Sequence, residues 1–299
     1  MNIEKYNFTS SLNLNREHNT AVVFASYQPN KISSDILRVA LNSLEKINLE
    51  NISVWIIDVG SPKSDDLVKQ HEFKNFNFLY VNFTPTSWER TSFFKKIFKA
   101  IFLQKAPRSG SYANAWTLEF ALSYFDKINY HPDFFMTLQN DVIFTDFNSI
   151  SGLREKMIEN KNFIAGGFRE QDNLGKKYRI IHSLACMWNL KLFKKLNLDL
   201  YPDFPNYDIA EKSIAIAIDK GYKILGYRNL RTEKLLESEF INKKFLSLGN
   251  GVDICVNEKL NVVFLHLGRG IDKSKDINFN SEKFSPLDWI NWYKTYFKN

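Results

Sequence analysis

Three polar residues interrupt an apolar stretch of the chain, the segment FFMTLQNDVIFTDF at 134–147. Gln139, Asn140 and Asp141 follow residues typical of a buried strand, and a second apolar run begins directly after them. An aspartate at the exposed end of a parallel strand can ligate a hard divalent cation, which neutralises the phosphates of a nucleotide. Asp141 is therefore a candidate metal ligand, although an Asx-type turn would explain the same three residues structurally.

Other candidate ligand-binding residues also lie where apolar runs end. Asp58 ends one such run, where its carboxylate could accept the N3 proton of a pyrimidine base. Ala25, Ser26 and Tyr27 end an earlier run, where their backbone could line the same base. His266 ends a late run and offers an imidazole to a metal or a phosphate, although a satisfied buried histidine would follow the same pattern.

The elements that must position these residues alternate between strands and helices. Apolar runs predict strands at 20–27, 53–61, 76–83, 134–147, 162–168, 183–189 and 261–266, with a further strand after Gly221. Helical periodicity predicts helices at 33–47, 92–105, 112–125 and in the segment from Tyr207 to Gly221, with Ser33 or Ser34 as the first N-cap. This alternation predicts an α/β fold with a mostly parallel central sheet flanked by helices.

Length and composition limit the classes of protein to which this sequence can belong. The 299 residues and 44% hydrophobic content suit one large domain at 20–270, with a polar leader at 1–19 and an appendage at 271–299. No apolar run reaches the roughly 18–20 residues that a membrane span needs, so we expect a cytoplasmic protein. Its two cysteines fit small buried apolar residues in a reducing compartment.

The positive charge predicts an anionic partner. The formal net charge is +7, and the amphipathic segment 92–105 places lysines opposite a phenylalanine-rich face. A second aromatic and basic stretch, 288–299, closes the chain. Both segments could contact the inner face of a membrane peripherally, although 92–105 could equally be an ordinary surface helix. A nucleic-acid partner is not expected, because a basic binding module would not explain isolated acids at successive strand ends.

Taken in order, these segments resemble the nucleotide-binding GT-A fold, which is Rossmann-like, of family 2 glycosyltransferases. The resemblance covers about residues 20–270 and depends on the order of VVFASYQPN, IIDVGSPKSDD, NAWTLEFAL, MTLQNDVIF, AGGF, YDIAEKSIAIAIDKGYKI and FLHLGRG. It implies that Gln139, Asn140 and Asp141 occupy the position of the metal- and diphosphate-binding motif. Gln139 departs from the family pattern, since it replaces the usual first acid.

The resemblance also implies roles for residues elsewhere in the chain. Asp208 matches the carboxylate that takes the proton from the acceptor hydroxyl, and Glu211, one helical turn further on, is the alternative base. His266 and Arg269 would stabilise the departing diphosphate together with Mn²⁺ or Mg²⁺. Arg108 is a candidate phosphate contact, and His182 is a weaker candidate on the acceptor side.

The function that follows is transfer of a hexose from a nucleotide sugar to an acceptor hydroxyl with inversion, in glycan or polysaccharide biosynthesis. Asp58 favours UDP or dTDP as the nucleotide, and the acceptor would be a glycan or a lipid-linked saccharide. The alternative is a catalytically lapsed protein of this fold that binds a nucleotide or a membrane. A dehydrogenase, a nucleotidyltransferase and a P-loop enzyme are disfavoured, because ASYQPNK after the first strand contains no glycine.

Overall fold

The computed structural model describes residues 1–62, 65–83, 109–160, 163–169, 185–203, 206–231, 245, 247–249, 251–268 and 284–297. The strands are β1 Phe8–Ser11, β2 Thr20–Ser26, β3 Ile52–Val59, β4 Asn77–Val81, β5 Phe134–Leu138, β6 Val142–Phe144, β7 Phe163–Arg169, β8 Ala185–Asn189, β9 Lys223–Arg231, β10 Asp253–Val256 and β11 Val262–His266. The helices are α1 Lys31–Leu44, α2 Ser109–Lys127, α3 Ser149–Glu159, α4 Leu190–Lys195, α5 Glu211–Asp219 and α6 Pro286–Phe297. A short 3₁₀ helix, Ile3–Lys5, precedes them.

Within the described residues these strands form one sheet in the order β1-β4-β3-β2-β5-β8-β7-β9-β10-β11-β6. The strands β4, β3, β2 and β5 are mutually parallel, and Thr20 pairs with both Ile52 and Phe134. This parallel block and its flanking helices confirm the predicted α/β class. Beyond β5 the sheet continues mainly through antiparallel pairs, apart from the parallel pair of β7 and β9.

The parallel block is buried on both faces, which explains why its strands are continuously apolar. Along β2, Ala21 and Val23 contact one core cluster, whereas Val22 and Phe24 contact another on the opposite face. The first cluster includes side chains of α2, and the second includes side chains of α1 and α3. The helices therefore hold the sheet rigidly from both sides, and the carboxyl ends of its parallel strands are fixed as a platform.

Helix α1 begins earlier than the sequence predicted. Asn30, not Ser33 or Ser34, is the N-cap, and its side-chain oxygen accepts a hydrogen bond from Ser33 N. The Ser33 hydroxyl lies 3.2 Å from Asn30 N and completes a capping box. The reason for the difference is that Asn and Ser are both good caps, so the sequence pattern alone does not fix the first turn.

Residues near the N-terminus pair with the edge of the sheet. Strand β1 pairs antiparallel with β4 along Phe8–Ser11, and the rings of Phe8 and Tyr124 lie 5.6 Å apart. The Tyr6 ring lies 5.0 Å from that of Trp116. Edge pairing and aromatic contacts therefore tie this polar segment to α2 and β4, and the predicted division of the chain at residue 19 stays a prediction.

The C-terminal stretch also packs against the body of the protein. Helix α6 packs against α1, and Trp289, Trp292 and Tyr293 are buried in a cluster that includes β6, β10 and β11. These three aromatic side chains complete a protein core, and the membrane contact predicted for 288–299 stays a prediction. The other predicted membrane segment, 92–105, lies outside the described residues.

Two further sequence expectations can be compared with the described residues. Cys186 and Cys255 are both buried, as predicted for small apolar residues. Among the described helices, none combines the length and the hydropathy that crossing a bilayer would require.

Candidate functional site

The carboxyl ends of β2, β3 and β5 meet at one edge of the sheet. Ser26 pairs in register with Asp58, and Phe24 pairs with Leu138, the last residue of β5. Because these strands are parallel, the polar residues that follow each of them emerge side by side. The candidate residues that the sequence placed on three separate segments are thus neighbours at this edge.

Asn140 bridges the ends of β5 and β2. Its side-chain nitrogen donates a hydrogen bond of 3.4 Å to the backbone oxygen of Tyr27. The residue is only 3% exposed, and its side-chain oxygen has no hydrogen-bond partner within the part of the chain that the structure describes. A buried acceptor of this kind suits a ligand that brings a donor, such as a sugar hydroxyl.

Asp141 and His266 face one another across this edge. The carboxylate oxygen Oδ1 of Asp141 lies 3.5 Å from Nε2 of His266, and both side chains are almost fully buried. The backbone brings them together, because Val142 pairs with His266 and the Leu267 N–H donates to the Asp141 carbonyl oxygen at 3.1 Å. The two predicted metal ligands, which are far apart in the sequence, are therefore in contact distance of each other.

Sequence reasoning missed the residue that holds His266 from the other side. Asp253 begins β10, directly opposite His266 in the antiparallel pair, and its Oδ2 lies 2.9 Å from the imidazole Nδ1. Strand β10 is short and follows a glycine, so its apolar pattern was too brief to predict. The only available signal was an acid that precedes three apolar residues.

Asp58 has a different environment from the one predicted. Ser26 Oγ and Gln28 Nε2 donate to its Oδ2 at 3.0 and 2.7 Å, and both the hydroxyl and the backbone N–H of Ser61 donate to it as well. Burial raises the pKa of the Asp58 carboxyl, and these hydrogen bonds oppose that rise. The hydrogen bonds named here go to the protein and only 2% of the residue is exposed, and the contact with a nucleotide base stays a prediction.

Gln28 was also missed, and it links Asp58 to the rest of the fold. Its side chain is completely buried, and its Oε1 accepts a hydrogen bond of 2.8 Å from Val68 N. Its own backbone N–H donates to Ser61 Oγ at 2.7 Å. A buried glutamine that uses both ends of its amide is a structural residue, and here it fixes the loop after β2 to the loop after β3.

The two candidate bases are coupled to one another at the start of α5. The Asp208 N–H donates to Glu211 Oε2 at 2.9 Å, and Ile209 N donates to Asp208 Oδ1 at 2.8 Å. Glu211 therefore caps the backbone of Asp208, a structural task that favours Asp208 as the base. Ala210, between them, is buried with φ of 60°, a left-handed conformation that costs a non-glycine residue about 1–2 kcal/mol.

A buried glutamate lies behind this loop. Glu119 of α2 accepts a hydrogen bond of 2.8 Å from Leu200 N, and the Leu200 carbonyl accepts one of 3.0 Å from Ala210 N. Burial raises the pKa of Glu119 to about 7, and the charge of Asp199 contributes to this rise. The hydrogen bond from Leu200 acts in the opposite direction and lowers the pKa. Glu119 thus anchors the segment that carries Asp208 to the core of the molecule.

Several predicted site residues remain to be accounted for. Arg108, His182 and Arg269 lie outside the described residues. Ser26 is buried at the end of β2, and the flanking Ala25 and Tyr27 are half-buried beside it. The half-buried Gln139 lies at the start of the polar triplet. The nucleotide contacts predicted for these residues stay predictions.

A divalent cation would have two protein ligands here. Within the described ranges no group of three or more His, Cys, Asp or Glu side chains is arranged to hold a metal. The pair of Asp141 and His266 nevertheless fits a cation, because Mg²⁺ and Mn²⁺ sites often use one or two protein ligands and take the others from phosphates and water. The carboxylate behind His266 matches the usual support of a metal-binding imidazole.

Comparisons with known proteins give only structural likenesses. No protein-family model and no curated protein sequence matches the chain. One similar solved structure is the mannosyltransferase PcManGT from Pyrobaculum calidifontis in complex with GDP-Man and Mn2+, at 11% identity and a TM-score of 0.46, covering 70% of this chain and 54% of that one. Another is S. aureus TarS 1-349 in complex with UDP-GlcNAc, at 12% identity and a TM-score of 0.38, covering 70% and 55%.

A third similar structure is the apo form of the WbbM bifunctional glycosyltransferase, at 12% identity and a TM-score of 0.39, covering 62% of this chain and 34% of that one. The chain thus spans about half of the length of the first two structures. With TM-scores below 0.5, these likenesses carry no argument about activity, and the case for function comes from the residues of the site.

Proposed function

We propose that this protein is an inverting glycosyltransferase of the GT-A type, which moves a sugar from a nucleoside-diphosphate sugar to an acceptor hydroxyl. The observation that carries the proposal is the pair of buried side chains Asp141 and His266, 3.5 Å apart at the edge where β2 and β5 end. In a sheet of this kind, ligands bind outside the carboxyl ends of the parallel strands. An acid and an imidazole at that position suit the diphosphate of a donor and a cation bound to it.

The donor would be held by groups that already lie at this edge. When bound by Asp141 and His266, Mn²⁺ or Mg²⁺ would neutralise the negative charge that gathers on the departing diphosphate. The buried Asn140 oxygen would accept a hydrogen bond from a donor hydroxyl, which gives this acceptor the partner it lacks among the described residues. The rigid helices on both faces of the sheet keep these groups in place before the donor arrives.

Asp208 is the proposed base, which takes the proton from the acceptor hydroxyl as that oxygen attacks the anomeric carbon. The strained Ala210 beside it supports a functional role for this loop, because left-handed non-glycine residues concentrate at functional sites. The anchor from Glu119 through Leu200 to Ala210 would hold the loop in that conformation. A single base of this kind is sufficient for a one-step displacement with inversion.

The donor nucleotide and the acceptor follow less directly from the site. The sequence-based preference for UDP or dTDP depends on Asp58, whose hydrogen bonds in the structure go to Ser26, Gln28 and Ser61. A donor screen should therefore include GDP-sugars with equal weight. A glycan or lipid-linked acceptor in polysaccharide biosynthesis, and a peripheral membrane contact through 92–105, remain part of the proposal.

The proposal is tested first by ligand binding. Thermal unfolding of the full chain should be measured with UDP, dTDP, GDP and CMP, each with Mn²⁺ and with chelator. We expect one nucleotide to raise the midpoint in Mn²⁺ only, since a ligand that binds the folded state stabilises it by mass action. Release of that nucleotide from the matching nucleotide sugar would then establish transfer or hydrolysis. Binding without turnover would favour the lapsed, nucleotide-binding alternative.

The base assignment is tested by a matched pair of variants. Asp208→Asn should lower kcat about 10²–10⁴-fold with little change in the KM for the donor, because the base acts in the chemical step. Glu211→Gln should keep most of the activity, since its amide oxygen can still accept from Asp208 N. The opposite pattern would assign the base to Glu211. Wild-type activity in both variants would exclude a base in this loop.

A further inference from the structure

His266 is held from behind in a defined orientation. Its Nδ1 lies 2.9 Å from Asp253 Oδ2, while its Nε2 points to Asp141. Asp253 and His266 are directly opposite each other on β10 and β11, so the strand pairing sets their separation. Because a carboxylate only accepts hydrogen bonds, Nδ1 is the nitrogen that carries the proton. In the neutral ring, the lone pair is then on Nε2, the atom that faces Asp141.

Asp253 is itself fixed by a second residue. Asn229 of β9 donates a hydrogen bond of 3.1 Å from Nδ2 to Asp253 Oδ1, the oxygen that His266 does not use. Asn229 is buried, and β9 pairs antiparallel with β10 over the whole of the shorter strand. The two oxygens of Asp253 therefore have different partners on the two neighbouring strands, which prevents the carboxylate from rotating away from the imidazole.

The tautomer matters because of what Nε2 faces. If the proton were on Nε2, the ring would direct an N–H group at the Asp141 carboxylate, and the two side chains could hydrogen-bond to one another. With the proton on Nδ1, the Nε2 atom that carries the lone pair lies 3.5 Å from a carboxylate oxygen. Two such groups have the character of a ligand pair for a cation, since a metal-binding imidazole uses its unprotonated nitrogen.

We propose that Asp253, held by Asn229, is a positioning residue that keeps His266 in the Nδ1–H tautomer and directs its Nε2 lone pair toward Asp141. This inference rests on the proposed function only where it concerns a cation bound by Asp141 and His266. The orientation of the imidazole itself can be measured without a metal, a nucleotide or any turnover.

The first arm of the experiment measures the tautomer. The side-chain nitrogens of the chain's five histidines are observed by ¹⁵N-resolved NMR on the full-length protein in chelator, at about pH 8, where an ordinary imidazole is neutral. His266→Gln identifies the His266 signals. Wild type should show the Nδ1–H form. Asp253→Asn should populate the Nε2–H form, because the new amide can donate to Nδ1.

The matched control for this arm is Glu258→Gln, which removes an exposed carboxylate that is paired with Lys156 and lies beyond the end of β10. It should leave the His266 tautomer unchanged. Asn229→Ala is the second variant, which loosens Asp253 without altering its charge, and it should give a mixture of tautomers. An unchanged tautomer in both Asp253→Asn and Asn229→Ala, with the folded structure retained, would overturn the inference.

The second arm titrates Mn²⁺ alone into the same proteins and follows the free ion by electron paramagnetic resonance. Asp253→Asn should bind Mn²⁺ about 10–100-fold more weakly than wild type, as expected for loss of a residue that supports a metal ligand. Asp253→Glu should recover part of this affinity, because it retains an acceptor for Nδ1. If wild type binds Mn²⁺, an equal Mn²⁺ affinity in Asp253→Asn would contradict the positioning role.

The two arms separate this inference from the proposed function. If wild type does not bind Mn²⁺ but Asp253→Asn changes the His266 tautomer, the positioning role stands and the proposed metal site fails. If wild type transfers a sugar with Mn²⁺ while its His266 has the Nε2–H tautomer, the proposed function stands and the inference is wrong.

Discussion

Two buried aspartates lie where β3 and β5 end, Asp58 within the last residues of β3 and Asp141 shortly after β5. Asp58 and Asp141 are both nearly fully buried, and both lie at the same edge of the parallel block. Their partners differ. Neutral donors of Ser26, Gln28 and Ser61 surround Asp58, whereas Asp141 faces an imidazole from β11 that another carboxylate supports.

This difference separates a structural carboxylate from a candidate functional one. The donors around Asp58 come from the loops that it connects, so its burial stabilises the fold of that edge. The partner of Asp141 comes from a strand in the antiparallel part of the sheet, and it places an imidazole nitrogen 3.5 Å from the carboxylate. Burial alone therefore does not identify the functional acid, and the chemistry of the partner does.

Of the two aspartates, Asp141 should show the larger effect, which is loss of transfer on Asp141→Asn. The amide is similar in shape but lacks the charge that holds a cation, so we expect a decrease in transfer of about 10²–10³-fold, comparable to loss of one electrostatic contact to the transition state. Mn²⁺-dependent stabilisation by the nucleotide should also disappear in thermal unfolding. In chelator, the stability of this variant should stay within about 1 kcal/mol of wild type, because an amide can donate to His266 Nε2.

Asp58→Asn should show the opposite pattern. The new amide nitrogen would face buried donors, and leaving such groups without acceptors costs about 1–3 kcal/mol in the free energy of unfolding. Urea titration in chelator measures this loss, and nucleotide affinity in Mn²⁺ should change little once the variant is folded. If Asp58→Asn were as stable as wild type and lost affinity for pyrimidine nucleotides only, the predicted contact of Asp58 with the pyrimidine ring would be supported.

Glu119 extends the comparison to a buried carboxyl with a single backbone donor. Its pKa of about 7 in the folded protein exceeds the ordinary 4.5, so the folded state holds the proton more tightly than the unfolded state. The free energy of unfolding should therefore fall as the pH rises from about 4.5 to 7, and then level off. Glu119→Gln keeps an acceptor for Leu200 N and removes this dependence.

The measurement for Glu119 is urea unfolding at pH values below and above this window. The free energy of unfolding of Glu119→Gln should match that of wild type at about pH 4.5 and exceed it by about 1–3 kcal/mol at about pH 8. This difference is smaller than the full linkage value, because the site is not completely buried. The exposed Glu258→Gln serves as the control, with no pH-dependent difference from wild type. A constant difference between Glu119→Gln and wild type across the window would mean that Glu119 does not titrate there.

Local sequence patterns were sufficient to predict much of the fold and part of the candidate site. The apolar runs at β2, β3 and β11 predicted strands within a few residues of their observed bounds, whereas the segment predicted as one strand at 134–147 forms two, β5 and β6. Gly221, with φ of 83°, lies just beyond α5, where the sequence predicted its end. The sequence also singled out Asp141 and His266, because each is a polar residue where an apolar strand stops. These features depend on residues that are close in sequence.

The sequence by itself determined most of the long apolar strands, several of the helices and which polar residues stand at their ends, because periodicity and capping act within a few residues. Only the tertiary structure decided the partners: Asp253 behind His266, Gln28 beside Asp58, β1 on β4, and α6 against α1. Each of these contacts joins segments whose separation is set by the packing of the whole sheet. A short strand such as β10 or a polar one such as β1 has too little pattern of its own, and pairing with a neighbouring strand supplies the rest.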